Sequence, residues 1–418
     1  MRRVAPTWLA GYAGLILAVA VVVNLVTQLS RVAYGLVLPS MEEGLGLSHF
    51  QAGGLITVTS LMGIASAFVF GMLAPRYGSR IIIGVAALAN AVAMAFLGAS
   101  FSYLFALAMC AVMGFTIQGC TTPVMGLLSV WFDSQNRGTA AGIAAAGGGA
   151  SFVVIGTLVP WLTGRDPVDG WRHTWYALAA IVAVVGVVSL LFLRDRPRDP
   201  GGLRAARGAW PLEAYREPLV WLIALLAFCS GWTTGVYTTF FGLYLEEREV
   251  SLSTIGLLFT FLGPLGIVSG VFWGTASDRL GRRAGFFLSF ATLGAGSLLF
   301  WVAPVIPGFV ASAVLVGLSF RAAYIICAAS AGDYVPPNFS AAAFGLMGMG
   351  AGLGNALGPL LAGHIADATE VRWVFVLATG AAAFAVAAST FLKDPRVRGA
   401  PPSEGAADRI RFTDPRSP

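Results

Sequence analysis

Apolar residues in this chain neither alternate nor form narrow helical stripes. They run on for twenty or more positions at a time, broken by short polar turns. A helix needs about 20 such residues to cross about 30 Å of hydrocarbon. Twelve stretches qualify, at roughly 11–38, 51–74, 80–99, 103–131, 138–161, 173–194, 217–245, 252–276, 284–304, 308–331, 340–364 and 372–392. The pattern predicts an all-α membrane protein with twelve transmembrane helices, called spans 1 to 12 below. Arg2 and Arg3 precede span 1 as they would a signal peptide. Its apolar run is too long for one and shows no small-residue cleavage site, so a retained helix is expected.

Composition narrows the class further. Of the 418 residues 57% are hydrophobic and 11% charged, against about 25% charged in average soluble domains. That excludes a soluble enzyme and a disordered chain, and the 52 glycines suit closely packed membrane helices. Cys110, Cys120, Cys229 and Cys327 all lie inside apolar runs, which argues against a disulfide framework. A pI near 9.4 would suggest nucleic acid in a soluble chain; here the basic residues are first a topology signal, and no nucleic-acid partner is expected. With both termini cytoplasmic, the outer segments hold only Arg165, Arg172, Arg248 and Arg372 among 26 basic residues. This positive-inside bias predicts a multi-pass protein of the plasma (inner) membrane.

A shift of 203 residues superimposes the two halves of the chain. Gly71, Arg76 and Gly78 fall on Gly274, Arg279 and Gly281; Gly142 and Gly149 fall on Gly345 and Gly352; Tyr34 falls on Tyr237. The expected organisation is two pseudo-symmetric six-helix halves, 1–194 and 217–393. A polar, Pro- and Gly-broken linker at 195–216 joins them, and a charged tail at 394–418 is expected to be disordered.

On these residues the chain resembles the major facilitator superfamily, over about residues 8–394. The most specific element is the loop pattern G-x-L-x-D-R-x-G-R-R. It is nearly complete at Gly274, Asp278, Arg279, Gly281, Arg282 and Arg283, and partial at Gly71, Arg76, Gly78 and Arg80, where Pro75 replaces the acid. The stretch from Trp131 through Asp133, Arg137 and Gly142 also resembles monocarboxylate and oxalate:formate-type facilitators. The resemblance implies the twelve-helix fold, alternating access and a conformational latch in the two loops, with Asp133 and Arg137 as further gating candidates. Plain topology anchoring by the arginines is the competing reading. A latch predicts that Asp278→Asn changes transport rate more than substrate affinity; an unchanged rate in a vesicle assay would count against it.

Ionisable groups inside spanning helices are costly and usually functional. Arg321 falls near the middle of span 10, and Arg31 in the outer part of span 1, while acidic residues fall in loops, in the tail or at helix ends. A guanidinium without a counter-ion at mid-depth becomes tolerable in a wet cavity that receives an anion, and it grips a carboxylate bidentately. The expected cargo is therefore a small organic anion, most simply a carboxylate. Helical angles add Asn24, Gln28 and Tyr34 beside Arg31, Gln118 in span 4 (the repeat counterpart of Arg321), Tyr324 one turn from Arg321, and Trp232 and Tyr237 in span 7. Family resemblance implies that spans 1, 4, 7 and 10 line the central cavity. Hydrogen bonding between helices is the plainer alternative for each stripe.

His49, His173 and His364 lie near predicted outer ends, leaving no titrating group at mid-depth. A co-transported proton would ride with the substrate; anion exchange and facilitated diffusion are equally compatible. No metal ligand spacing, catalytic set or cofactor motif is present, so neither an enzyme nor a cofactor is expected, and the bilayer is the expected surrounding of a monomer. Two rival readings are a proton-coupled exporter of drugs or other metabolites, which lacks the mid-membrane acid it would need, and a non-transporting membrane sensor.

Overall fold

In a computed structural model, which describes residues 12–132, 134–166, 168–195, 217–334 and 340–392, the polypeptide is helical with no strand among those residues. The first half contains α1 (Tyr12–Val32), α2 (Tyr34–Leu45), α3 (His49–Tyr77), α4 (Ser79–Gly98), α5 (Tyr103–Trp131), α6 (Ser134–Thr163) and α7 (Gly170–Phe192). The second contains α8 (Pro218–Glu247), α9 (Leu252–Leu280), α10 (Arg282–Val302), α11 (Ile306–Ser319), α12 (Ala322–Tyr334), α13 (Ser340–Ala368) and α14 (Trp373–Ser389). Ten helical stretches among the described residues are long and apolar enough to cross a membrane. The expected twelfth span forms as α14, but its 17 residues rise only about 26 Å, short of the hydrocarbon thickness. The expected eleventh, α13, also lies outside the ten.

The repeat has structural counterparts. Ser48 caps α3 through a reciprocal capping box with Gln51, and Ser251, 203 positions on, caps α9 by accepting from Thr254 N. Each orphan amide at a helix start thereby gains an acceptor. At the other ends of these helices Gly78 and Gly281, again 203 apart, hold φ of +88° and +95°, which a side chain with Cβ adopts only under strain. These two glycines turn the chain directly into α4 and α10.

Both loops are locally bonded. Asp278 Oδ1 accepts from Arg282 Nη1 at 2.7 Å, as does Ser277 Oγ at 2.6 Å. In the first loop, where Pro75 stands in place of the acid, Asp195 at the end of α7 supplies one. Its Oδ1 accepts from the amides of Ser79 at 2.8 Å and Arg80 at 3.3 Å, a carboxylate at the positive end of a helix dipole. Asp195 belongs to what the sequence marked as linker. Asp133, residues 196–216 and the tail from 393 lie outside the described residues, as do the surroundings of Gly71 and the side chain of Arg137.

The halves meet along three seams at the end distal to the linker. In the first, Thr57 Oγ1 on α3 donates to Ala356 O on α13 at 2.6 Å, and a methyl on Gly53 would collide with the carbonyl of Pro359. Asp367 of α13 accepts from the amides of His49 and Phe50 at 2.8 and 2.9 Å, so one half caps a helix of the other. His49 Nδ1 in turn lies 2.9 Å from Glu42 Oε2. In the second, Gly156 and Gly256 bring α6 and α9 backbone to backbone; in the third, Gly35 and Gly242 do the same for α2 and α8. Lipid gives no hydrophobic drive for such contacts, so close van der Waals approach must supply it. Toward the linker end the pattern stops. A methyl on Gly345 or Gly348 of α13 would meet nothing within 4 Å, and Gly270 and Gly274 of α9 face Ile325 of their own half. Among the described residues, then, the glycine-lined contacts between the halves gather at the distal end.

Candidate binding cavity between the halves

A cavity of about 220 Å³ lies between the halves. Its walls come from α1, α2, α3 and α6 on one side, and from α8, α13 and the α11–α12 junction on the other. Both arginines reach it. The first spanning segment runs as one stretch from Tyr12 to Leu45 with a brief interruption at Ala33. Arg31 sits about 4 Å from the centre of that 34-residue stretch at 1.5 Å per residue. Arg321 occupies the corresponding interruption between α11 and α12. Non-helical backbone at such depth is tolerated where it borders a cavity.

Glycines make room for both guanidiniums. A methyl on Gly63 would lie 3.2 Å from Arg31 Nη2. A methyl on Gly148 would lie 2.8 Å from Arg321 Nη2 and 3.2 Å from Gln28 Cγ. Arg321 thus extends from its own half across to α6 and α1 of the other. Arg31 keeps a large accessible surface although it is deep in the bundle, because that surface borders the cavity. No salt bridge to either arginine is present among the described residues.

The remaining predicted residues divide. Gln28, Tyr34 and Tyr324 line the same cavity; Tyr34 is held by a 2.9 Å contact of its hydroxyl with Cys110 Sγ. Gln118 stands behind the wall against Gly63, its Oε1 accepting from the Thr121 hydroxyl. The repeat is visible here too, because Gln118 Cγ and Arg321 Cγ each lie 3.9 Å from a methyl on Gly63 and Gly266 respectively, all 203 residues apart. Asn24 bonds back to Ala20 O at 2.9 Å and does not line the cavity.

The two span 7 residues expected at the site, Tyr237 and Trp232, do not line this cavity. Tyr237 is fully buried inside its own half, its hydroxyl 3.0 Å from Ser312 Oγ and its ring against Phe241, Phe300 and Phe375. A tyrosine with a partner for its hydroxyl is a core residue, and helical angle alone does not reveal that partner. Trp232 borders a separate apolar groove of about 690 Å³ between α8, α13 and α14, away from both arginines. One helical step round, Ser230, Thr234 and Thr238 at i, i+4 and i+8 are the residues that face the cavity, joined by Asn355 of α13, which packs over Gly231 and Gly235. Thr59 and Ser60 on α3 complete its polar wall. The sequence signal for that face was present as a hydroxyl stripe flanked by glycines, but aromatic polar residues outweighed it.

The Major Facilitator Superfamily profile matches residues 20–251 and 223–416, nearly the whole chain and in two overlapping copies. The chain belongs to the major facilitator superfamily. Facilitator relatives include the probable sulfoacetate transporter SauU of Cupriavidus necator, 26% identical over 85% of this chain and 87% of that protein. The hexuronate transporter of Bacillus subtilis is 23% identical over 87% of this chain and 90% of that one. Among solved structures, the inward-facing bacterial homolog of the human lysosomal transporter Spinster superposes with a TM-score of 0.75 at 17% identity, covering 91% of this chain and 98% of that chain. That likeness shows the facilitator fold. The family and these relatives are transporters and not enzymes.

Proposed function

We propose that this facilitator carries a small organic anion, a carboxylate or a related acid, across the inner membrane by alternating access. The observation that supports it most directly is the pair Arg31 and Arg321 lining one cavity with no acidic residue in its wall among the described residues. Two guanidiniums in a narrow, poorly solvated space repel each other and cost desolvation energy. A bound anion relieves both penalties, and the planar fork fixes its orientation. The relatives named for sulfoacetate and hexuronate are in keeping with such a cargo.

The reading includes twelve spans, with α13 and α14 completing the bundle, both termini cytoplasmic and a monomeric protein. In that orientation the distal seams face outward and the cavity opens toward the cytoplasm. Arg31, Gln28, Tyr34, Arg321 and Tyr324 form the binding set, with Gln118 supporting Arg31. The glycine turns at Gly78 and Gly281, with Arg76, Arg80, Asp278, Arg279, Arg282 and Arg283, act as the inner conformational latch. Asp195 supplies the charge that Pro75 removes. A proton, where one is carried, travels with the substrate, since the cavity wall holds no carboxylate or histidine among the described residues.

The test is a thermal-shift screen of purified protein against matched panels of organic anions, neutral sugars, zwitterionic amino acids and organic cations. Stabilisation confined to anions is expected, growing with ligand concentration as ligand linkage requires. Stabilisation by cations or neutral sugars, with anions inert, would overturn the proposal.

A further inference from the structure

The distal end of the seam between the halves collects ionisable side chains from both of them. Glu42 and Glu43 stand near the end of α2, His49 begins α3, Glu246 and Glu247 end α8, and Asp367 lies at the end of α13. Asp367 accepts from the His49 and Phe50 amides at 2.8 and 2.9 Å, which fixes one half against the other here. The His49 ring lies in the field of Glu42 from its own half, and of Asp367 and Glu247 from the other. Glu246 in turn lies in the field of Glu43 and Glu42, again across the halves. The remaining charged or titratable groups nearby are placed otherwise. Arg248 sits beside Glu247 and 5.2 Å over the Tyr244 ring, Arg372 pairs with Glu370 at 2.8 Å, and Arg172 with Asp169 at 3.0 Å. His364 of α13 sets its ring against Phe50 at 6.1 Å.

The Glu42–His49 pair at the centre suits a proton. The Glu42 side chain is only 8% exposed; its Oε2 lies 2.9 Å from His49 Nδ1, and its Oε1 has no hydrogen-bond partner among the described residues. An ionised carboxylate can only accept, so Nδ1 carries the hydrogen of this bond and Nε2 is the atom that gains or loses a proton. The His49 side chain is 27% exposed, which gives that atom's ring a path to the distal solution. With the proton on, an imidazolium stands among carboxylates of both halves and attracts them all. With it off, Glu42 and Glu43 face Glu246, Glu247 and Asp367 as like charges pressed together across the seam. Parting the halves removes Asp367 and Glu247 from His49 and leaves it Glu42 alone. The closed seam therefore binds the proton more firmly than the open one, and by linkage the proton favours closure.

We infer that Glu42 and His49 form a proton-binding site in the distal seal, and that protonation there holds the distal end shut. The proton comes from the distal solution and returns to it, so it biases the empty carrier and is separate from any proton that travels with cargo. Acid on the distal side favours the arrangement open at the linker end.

Spin labels report the distal end directly, in full-length protein in lipid and without cargo. Phe101→Cys and Val305→Cys place them on exposed distal loops of the two halves, away from the cluster, while the native cysteines are buried. Between about pH 5.5 and about pH 8.5 the closed-to-open ratio should fall by about tenfold or more, since one linked proton allows up to about tenfold per pH unit. His49→Gln keeps a donor for Glu42 but does not titrate, and its ratio should move less than about threefold over that range. His49→Lys carries a fixed charge and should stay closed at both ends. Glu246→Gln removes one of the opposed charges and should raise the closed fraction at the alkaline end. His173→Gln alters a histidine whose partner, Asp166 at 3.6 Å, belongs to the same half, and should leave the response intact.

A ratio that ignores pH in the unmutated protein, or that rises with pH, would overturn the inference. So would a full response in His49→Gln, an open His49→Lys, or loss of the response in His173→Gln. The anionic-cargo reading stands or falls separately, because no cargo is present in these measurements.

Discussion

Replacement of Arg321 by glutamine is expected to lower uptake of an anionic cargo into proteoliposomes by about thirtyfold or more. The side chain crosses from the α11–α12 junction to within van der Waals reach of Gly148 on the opposite half, so it supplies charge and a bridge between the moving parts. Truncating one partner of a desolvated charge pair typically costs about 2–5 kcal/mol, which at 1.4 kcal/mol per factor of ten spans about 30-fold to several thousandfold. Arg321→Lys keeps the charge but loses the fork, and should recover part of the affinity with weaker discrimination among anions. Stability of the empty protein should hold or rise in Arg321→Gln, since an unpaired buried cation is removed. Full uptake by the glutamine variant, measured at several substrate concentrations, would take Arg321 out of the binding set.

The second large effect concerns the seams. Gly53→Leu places a side chain where the Pro359 carbonyl of α13 already sits, and helix backbones on both sides leave nowhere for it to go. The distal end should fail to close. Spin labels on the loops after α2 and after α13 should separate by several ångströms relative to the unmutated protein, and transport should fall by tenfold or more. Substrate binding by Arg31 and Arg321 should change far less than the turnover. Unaltered label distances together with normal uptake would show that α3 and α13 do not form the distal seal.

The helical content and the repeat were legible in the sequence because both depend on properties that survive averaging, long apolar runs and a fixed offset between glycines. Serine caps at Ser48 and Ser251 and left-handed glycines at Gly78 and Gly281 carry that offset into three dimensions. The two arginines were legible for a related reason, since a charge inside an apolar run stands out whatever surrounds it. Depth and facing were harder. The polar turn after span 1 hid the continuation of the segment to Leu45. Tyr237 and Trp232 were drawn into the site because aromatic residues with polar atoms often line cavities. Yet Tyr237 finds Ser312 within its own half, and Trp232 belongs to a different groove. Thr234 and Thr238 were overlooked because a hydroxyl stripe reads equally as helix–helix hydrogen bonding, and only the packing of Asn355 over Gly231 and Gly235 shows which way it faces. Asp195 could not be assigned to α4 from sequence, as its partner amides lie more than a hundred residues away.

Thr57 and Asp367 hydrogen-bond across the seam of α3 and α13, while at Gly156 and Gly256, and at Gly35 and Gly242, the distal seams are backbone against backbone. Dispersion attraction of that kind is short-ranged, and a gap of 0.5–1 Å already forfeits about a quarter to a half of it. Opening then also requires the hydrogen bonds of Asp367 and Thr57 between α3 and α13 to break. The transporter should consequently toggle between two bistable arrangements, with brief passage between them, and its cycle rate should be set by how often that brittle seal gives way.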